Sequence, residues 1–208
     1  MPVFINGSRA QSLFHNGKSI ASAFFNGRKV FSKAPPPPSV ALIPNMTSNS
    51  APAPFVVSCS QVGTAPPQAY YIFSGAGRAS QFWNPIGVTD IASVNAWIAS
   101  VGNLYIIADL GAPRTLTNYS LWSRNNSAGL SYTQVPGAWT ILVSPDGTNY
   151  TTVDSRAGIS SSSQFQRLDF PLSSSAPNAR FIQMLITELS SSSVGTTISI
   201  GALQFYGY

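Results

Sequence analysis

Groups able to move protons or attack as nucleophiles are scarce in this sequence. It holds one histidine, His15, one cysteine, Cys59, and six acids, Asp90, Asp109, Asp146, Asp154, Asp169 and Glu188. A hydrolytic triad needs its histidine beside a serine and an acid, whereas His15 flanks an Asn-Gly turn, where Lys18 is its natural cross-strand neighbour. A zinc site needs several His, Cys or acidic ligands together, and one histidine and one cysteine do not supply them. Cys59 reads as a small buried residue of a strand. Glycoside hydrolysis needs two facing carboxylates, but Asp109, Asp146 and Asp154 already have turn or capping positions. Gly75-Ala76-Gly77 lacks the strand and helix of a nucleotide-binding loop. The chain is therefore read as a non-enzyme, with no cofactor and no catalytic residue.

Binding chemistry is better supplied. Sugars offer apolar ring faces that stack on aromatic side chains, and hydroxyls that Arg and Asn can grip. Tyr70, Tyr71, Arg78, Trp83, Trp97, Arg124, Asn125, Asn126 and Tyr132 fall in loop positions. The candidate ligand-binding residues are Arg124, Asn125, Asn126, Tyr132, Arg78 and Trp83, led by Arg124-Asn125-Asn126 at a strand end. Core packing is the competing reading for Trp83 and Trp97.

The elements that would position them are strands. Of 208 residues, 44% are hydrophobic and only 8% charged, against about 25% charged in an ordinary soluble domain. From Val40 onward, short apolar-alternating stretches lie between turn signals. Strands are predicted near Phe55–Ser60, Tyr105–Asp109, Thr115–Ser123, Ala138–Ser144, Gln164–Leu172, Arg180–Leu189 and Thr197–Tyr206. Turns are expected at 111–113, 145–147 and 174–178, and the serine runs 160–163 and 190–193 read as exposed loops. One short helix is expected over Asp90–Ala99, capped by Asp90. Trp139 alternates with Ile141 and Val143 and so belongs to a core. The fold class is all-β, a sandwich or jelly roll.

The first 33 residues differ. They repeat with a period of ten as VFINGSRAQS, LFHNGKSIAS and AFFNGRKVFS. Asn-Gly between short apolar stretches predicts two-residue hairpin turns, here at Asn6-Gly7, Asn16-Gly17 and Asn26-Gly27. Phe4, Phe14 and Phe24 recur one position before each turn's preceding residue, and apolar residues fall on both faces. So small a set of hairpins buries too little to stand alone, and the arm is expected to be covered by other chains. Arg9, Lys18, Arg28, Lys29 and Lys33 give it five positive charges with no acid, while the rest of the chain balances six arginines against six acids. The basic residues flank turns rather than forming one run, so nucleic acid is a disfavoured partner. Residues 34–39 (APPPPS) form a stiff polyproline spacer. The predicted organisation is a hairpin arm over 1–33, a linker over 34–39 and a sandwich over 40–208.

The order of landmarks in 46–208 resembles the discoidin, or coagulation-factor type C, domain. MTSNSAP (46–52) is similar to its opening strand and turn, and Phe73-Ser74-Gly75 with Phe82-Trp83 to its "Phe-Asp-Gly … Trp" stretch. LYIIADLG (104–111), YSLWSRN (119–125), WTILVSPDGTNY (139–150), RFIQMLI (180–186) and ISIGALQFY (198–206) resemble its later strands. The likeness implies a discoidin-like jelly-roll sandwich whose end loops bind carbohydrate. It also implies a structural calcium in many members, but Ser74 and Ala202 stand where carboxylates would hold it, so no metal is expected. The cysteine pair of secreted animal members is missing. The arm resembles Asn-Gly hairpin repeats of tailed-bacteriophage virion proteins.

The functional expectation is a phage virion protein whose sandwich binds host-surface glycan, as a tail-fibre or spike tip. A head-fibre or capsid-decoration protein with a purely structural role, and a bacterial carbohydrate-binding protein, remain alternatives. Expected partners are other virion proteins through residues 1–33, further copies of the chain as a homo-oligomer such as a trimer, and a host glycan. No signal peptide or membrane-inserting segment is read from the sequence, and a virion protein made in the host cytoplasm is expected.

Overall fold

The computed structural model describes the backbone of the strands within residues 4–32. It also describes residues 38–60, 69–75, 81–83, 90–101, 104–124, 131–193 and 196–208, with side chains from residue 38 onward except at 81–83, 94, 97, 101 and 131. The turn residues Asn6, Gly7, Asn16, Gly17, Asn26 and Gly27, the side chains of Phe4, Phe14 and Phe24, most of the spacer, and Arg78, Asn125 and Asn126 lie outside the described residues. The chain divides into two units, Met1–Pro38 and Ser39–Tyr208.

In the first unit Phe4–Ile5 (β1) pairs with Ser8–Arg9 (β2), Leu13–His15 (β3) with Lys18–Ile20 (β4), and Ser22–Phe25 (β5) with Arg28–Ser32 (β6), each antiparallel. Ile5 faces Ser8, His15 faces Lys18 and Phe25 faces Arg28. Two residues therefore separate the partners each time, the register that an Asn-Gly turn requires.

The second unit is built on two long strands. Its strands are Val40–Ala41 (β7), Val56–Cys59 (β8), Gln81–Trp83 (β9), Leu104–Trp122 (β10), Pro136–Ser144 (β11), Thr151–Arg156 (β12), Arg167–Leu189 (β13), Ile198–Ser199 (β14) and Ala202–Gly207 (β15). The first half of β10 pairs with β8 and with the second half of β13, which continues to β11 and β12. The second half of β10 pairs with the first half of β13 and with β15, whose far edge takes β7. Both long strands thus cross from one layer of the sandwich to the other, as strands do at sandwich corners.

Period-2 alternation explains the layers. Leu104, Ile106 and Ala108 of β10, Trp139, Ile141 and Val143 of β11, and Ile182, Met184 and Ile186 of β13 are buried from one side. Leu116, Tyr119, Leu121, Phe170, Leu203 and Phe205 are buried from the other. Trp139 and Phe170 meet edge to face at 5.0 Å, and Tyr119 stacks on Phe170 at 5.1 Å. Each fully buried side chain of this size contributes about 1.5–3 kcal/mol. Burial pushes the Cys59 thiol up to about 11, so it is an inert core group.

The corner is pinned by charge. Asp109 accepts the Gly111 N–H at 2.8 Å and a forked pair from Arg180 at 2.9 and 3.1 Å, where Gly111 takes a φ of 74°. The ion pair was not foreseen, although the capping role was. The expected turns at 111–113 and 174–178 are corrected. Register shifts between Asp109 and Asn118 let β10 and β13 bend without ending, so four predicted strands are two. The strands β7, β9 and β12 were also not expected. Ser161 and Ser190 of the serine runs are buried rather than exposed. The predicted helix is present as Ile91–Val101 (α1), and Asp90 caps it, accepting the Ser93 N–H at 2.9 Å. No helix among the described residues is long and apolar enough to cross a membrane.

Candidate functional site

The alternation that buries Tyr119 and Leu121 turns Trp122, at the end of β10, away from the core. In register beside it stand Arg167 on β13 and Ala202 on β15. Across this end lies a cleft of about 220 Å³, lined by Asn45, Ile72, Phe73, Gly75, Trp122, Phe165, Ala202, Leu203 and Gln204. Ile72, Phe73 and Leu203 are core residues that form an apolar floor. Phe165 is one of the few exposed large apolar residues and stacks on Trp122, with ring centroids 6.3 Å apart at 29°. Its backbone holds a φ of 50°, a left-handed conformation that costs a bulky side chain of order 1–2 kcal/mol.

Two amides give the cleft its polar edge. The Gln204 side chain is half-buried and fixed by its Nε2 donating to the Ile43 carbonyl at 2.8 Å. Asn45 is exposed, on the chain leading out of β7. Gly75 sits against it at a φ of 69°, and a Cβ there would collide with the Asn45 side chain. An apolar pocket with a few fixed polar groups is the ordinary form of a small-ligand site.

Of the sequence-predicted residues, Arg124, Tyr132 and the backbone of Trp83 are described. Trp83 pairs through its backbone with Ile198 of β14. Tyr132, half-buried in a short helical turn, lies two residues before Gln134, whose carbonyl accepts the Ser199 N–H at 2.7 Å. Gly201 donates to the Trp122 carbonyl at 2.8 Å, and a Cβ on it would strike the Ser123 carbonyl. Arg124, Tyr132 and Trp83 therefore flank one segment, 198–201. Arg124 is corrected as an exposed forked donor, since it is only 8% exposed. The strand ends at Trp122, and Ser123 and Arg124 follow it without strand pairing. Ser123 is clamped by Gln166 and Ser163, with its Oγ donating to the Ser163 carbonyl at 2.8 Å, and burial lowers the pKa of the neighbouring guanidinium.

Trp122, Phe165, Gln204 and Asn45 were missed. The available signal was Trp122 at the outward step of the Tyr119–Trp122 alternation. The family calcium does not fit this chain. Ser74 Oγ donates to the Tyr71 carbonyl at 2.9 Å, and Ala202 offers no side-chain oxygen. Among the described residues no three His, Cys, Asp or Glu groups gather as metal ligands.

No protein-family model and no curated protein matches this chain. Solved structures do. Chitosan-binding module 1 of a chitosanase/glucanase from Paenibacillus sp. IK-5 is 19% identical, with a TM-score of 0.51 over 81% of this chain and 99% of that one. Module 2 of that enzyme, in complex with chitotriose, is 18% identical, with a TM-score of 0.50 over 80% of this chain and 99% of that one. CpGH89CBM32-5 from Clostridium perfringens, in complex with GalNAc-β-1,3-galactose, is 12% identical, with a TM-score of 0.50 over 73% and 92%. The likeness is one of fold, and the fold of residues 39–208 is a discoidin-like antiparallel β-sandwich.

Proposed function

We propose that residues 39–208 are a carbohydrate-binding module and that its ligand seats in the cleft between Trp122 and Gln204. The observation that carries this reading is the Trp122–Phe165 stack facing two amides over an apolar floor. An aromatic face takes the C–H face of a pyranose, and the amides of Asn45 and Gln204 each donate to and accept from its hydroxyls. Arg167, in register beside Trp122, is paired with Asp169, so the favoured ligand is neutral. Neighbours of the same fold, in complex with chitotriose and with GalNAc-β-1,3-galactose, lend it support.

The arm suggests where the module is displayed. The chain enters the sandwich at Val40, which pairs with Gly207 at one end of β15, while the cleft lies at Ala202 at the other. Five residues of strand separate them by about 17 Å. With the Asn-Gly hairpins and polyproline spacer, this favours a virion-borne adhesion protein that binds host-surface glycan, assembled with other virion proteins or further copies through residues 1–33. A structural decoration protein explains the arm equally but leaves the cleft without a use.

Affinity electrophoresis of the full chain against immobilised neutral glycans tests the binding reading. Trp122→Ala is expected to lose about thirtyfold in affinity, the effect of removing an aromatic anchor worth about 2 kcal/mol. Retention of full affinity in that variant would refute the site. Deleting residues 1–33 is expected to abolish incorporation into the parent particle, and normal incorporation would refute the anchoring role.

A further inference from the structure

The cleft is not the end of the aromatic surface. On the outer face of the β13-β10-β15 layer, the residues that alternate with the core are Arg167 and Asp169 on β13, Ser120 and Trp122 on β10, and Gln204 and Tyr206 on β15. The Arg167 guanidinium lies across this face. Its carbon is 5.2 Å from the Trp122 ring centroid and 5.8 Å from that of Tyr206. Two contacts hold it there: its Nε donates to Asp169 at 2.7 Å and its Nη2 to Ser120 Oγ at 3.2 Å. The result is a row of planar groups, Phe165, Trp122, Arg167 and Tyr206, running from the cleft mouth down the sheet.

Such a row is unlike an ordinary solvated strand face. Sheet surfaces that only meet water carry small or charged residues that extend into it. Here a cation lies near two rings and its charge is paired with Asp169, with the two side chains 49% and 58% exposed. A face so prepared has no net charge to attract an ion, but offers a flat surface with hydroxyl and amide groups at its margins. The guanidinium is held in advance by Asp169 and Ser120, which lowers the cost of ordering it on binding.

Resting on the carbohydrate reading of the cleft, we propose that the ligand is a linear neutral glycan bound along its length, seated in the cleft at Trp122 and continuing past Gln204 over Arg167 and Tyr206. Gln204 stands between the two parts, in the cleft wall and two residues from Tyr206 on the same face of β15. The consequence is a site for internal residues of a chain rather than for a single terminal sugar.

The test compares two lengths of the same sugars. Chito-, cello-, xylo- and manno-oligosaccharides of two and of six residues are titrated calorimetrically into the full-length protein and into Tyr206→Ala, Arg167→Ala and Tyr206→Phe. For the sugar that binds, the hexamer is expected to bind at least tenfold more tightly than the dimer. Tyr206→Ala should remove most of that gain while leaving dimer affinity unchanged, which also reports an intact fold, and Arg167→Ala should remove most of the gain as well. Tyr206→Phe, which keeps the ring, should retain the gain. Equal affinity for dimer and hexamer, or a gain that survives Tyr206→Ala, overturns the extended site and leaves the cleft standing. Absence of binding by every dimer and hexamer overturns both.

Discussion

Phe165 stacks on Trp122 from a left-handed backbone position, although 42 residues lie between them along the chain. Strained backbone persists where surrounding contacts over-determine it, and such positions gather at binding sites. Phe165→Gly relieves the strain and removes the ring. The melting temperature is expected to stay within a few degrees of wild type while glycan affinity falls at least tenfold. A large drop in melting temperature would show instead that the ring is there to hold the fold.

Tyr119 joins the two layers through its hydroxyl, which accepts from Trp139 Nε1 at 2.8 Å and donates to Asp154 at 2.7 Å. Arg156 completes the set by donating to the same carboxylate oxygen at 2.7 Å. Burial and the adjacent carboxylate both push the phenol well above its usual range, so it stays protonated as a donor. Tyr119→Phe leaves a buried indole N–H without its acceptor and should cost about 1–3 kcal/mol in urea unfolding. A change near zero would mean that the network adds nothing.

Acid should be the condition that weakens the sandwich. Asp146 accepts the N–H groups of Thr148 and Asn149, each at 2.8 Å, together with the Asn149 side-chain amide and the Ser144 hydroxyl. These bonds hold its carboxyl far below the usual carboxylate range, and Asp109 and Asp169 are lowered too. A carboxyl depressed in the folded state contributes stability that is complete above its unfolded pKa and is lost as pH falls through the folded one. Stability is therefore expected to be flat from pH 8 to about 5 and to fall below about 4. Asp146→Asn should flatten that acid limb, measured as urea midpoint against pH. A slope between pH 6 and 7 would contradict this, since the only histidine, His15, lies outside the sandwich.

Calcium should be dispensable. With Ser74 bonded to its own chain and Ala202 lining the cleft, chelator is expected to leave the melting temperature unchanged. A rise of several degrees on adding calcium would show a metal site built from other oxygens.

Much of the fold was legible because its signals are local. The alternation of Trp139, Ile141 and Val143, the antiparallel pairings that flank each Asn-Gly pair and the Asp90 cap each act within a few residues. What was not legible depends on contacts distant in sequence. Gly111-Ala112-Pro113 reads as a break, yet the ladder resumes beyond it because β13 bulges opposite. Trp122 reads as one more apolar residue until Arg167 and Ala202 are seen beside it on an outer face. Arg124 reads as an exposed donor at a strand end, yet Gly201 packs against its backbone, residues 163 and 166 hold Ser123 beside it, and its side chain is buried. The proposed cleft and the residues singled out from the sequence thus share the strand end at Trp122 but not their side chains.

Indole resonances test the binding site most directly. Of the four tryptophans, Trp122 lines the cleft and Trp139 is 1% exposed with its N–H bonded to Tyr119, so one reports on the ligand and the other serves as an internal control. In nitrogen-15 spectra of the full chain titrated with a glycan that binds it, the Trp122 indole and the Asn45 and Gln204 side-chain amides are expected to shift together, while the Trp139 indole stays in place. Shifts confined instead to the second cleft, between Val143 and Asn178 at the opposite corner, with Trp122 unmoved, would contradict the account.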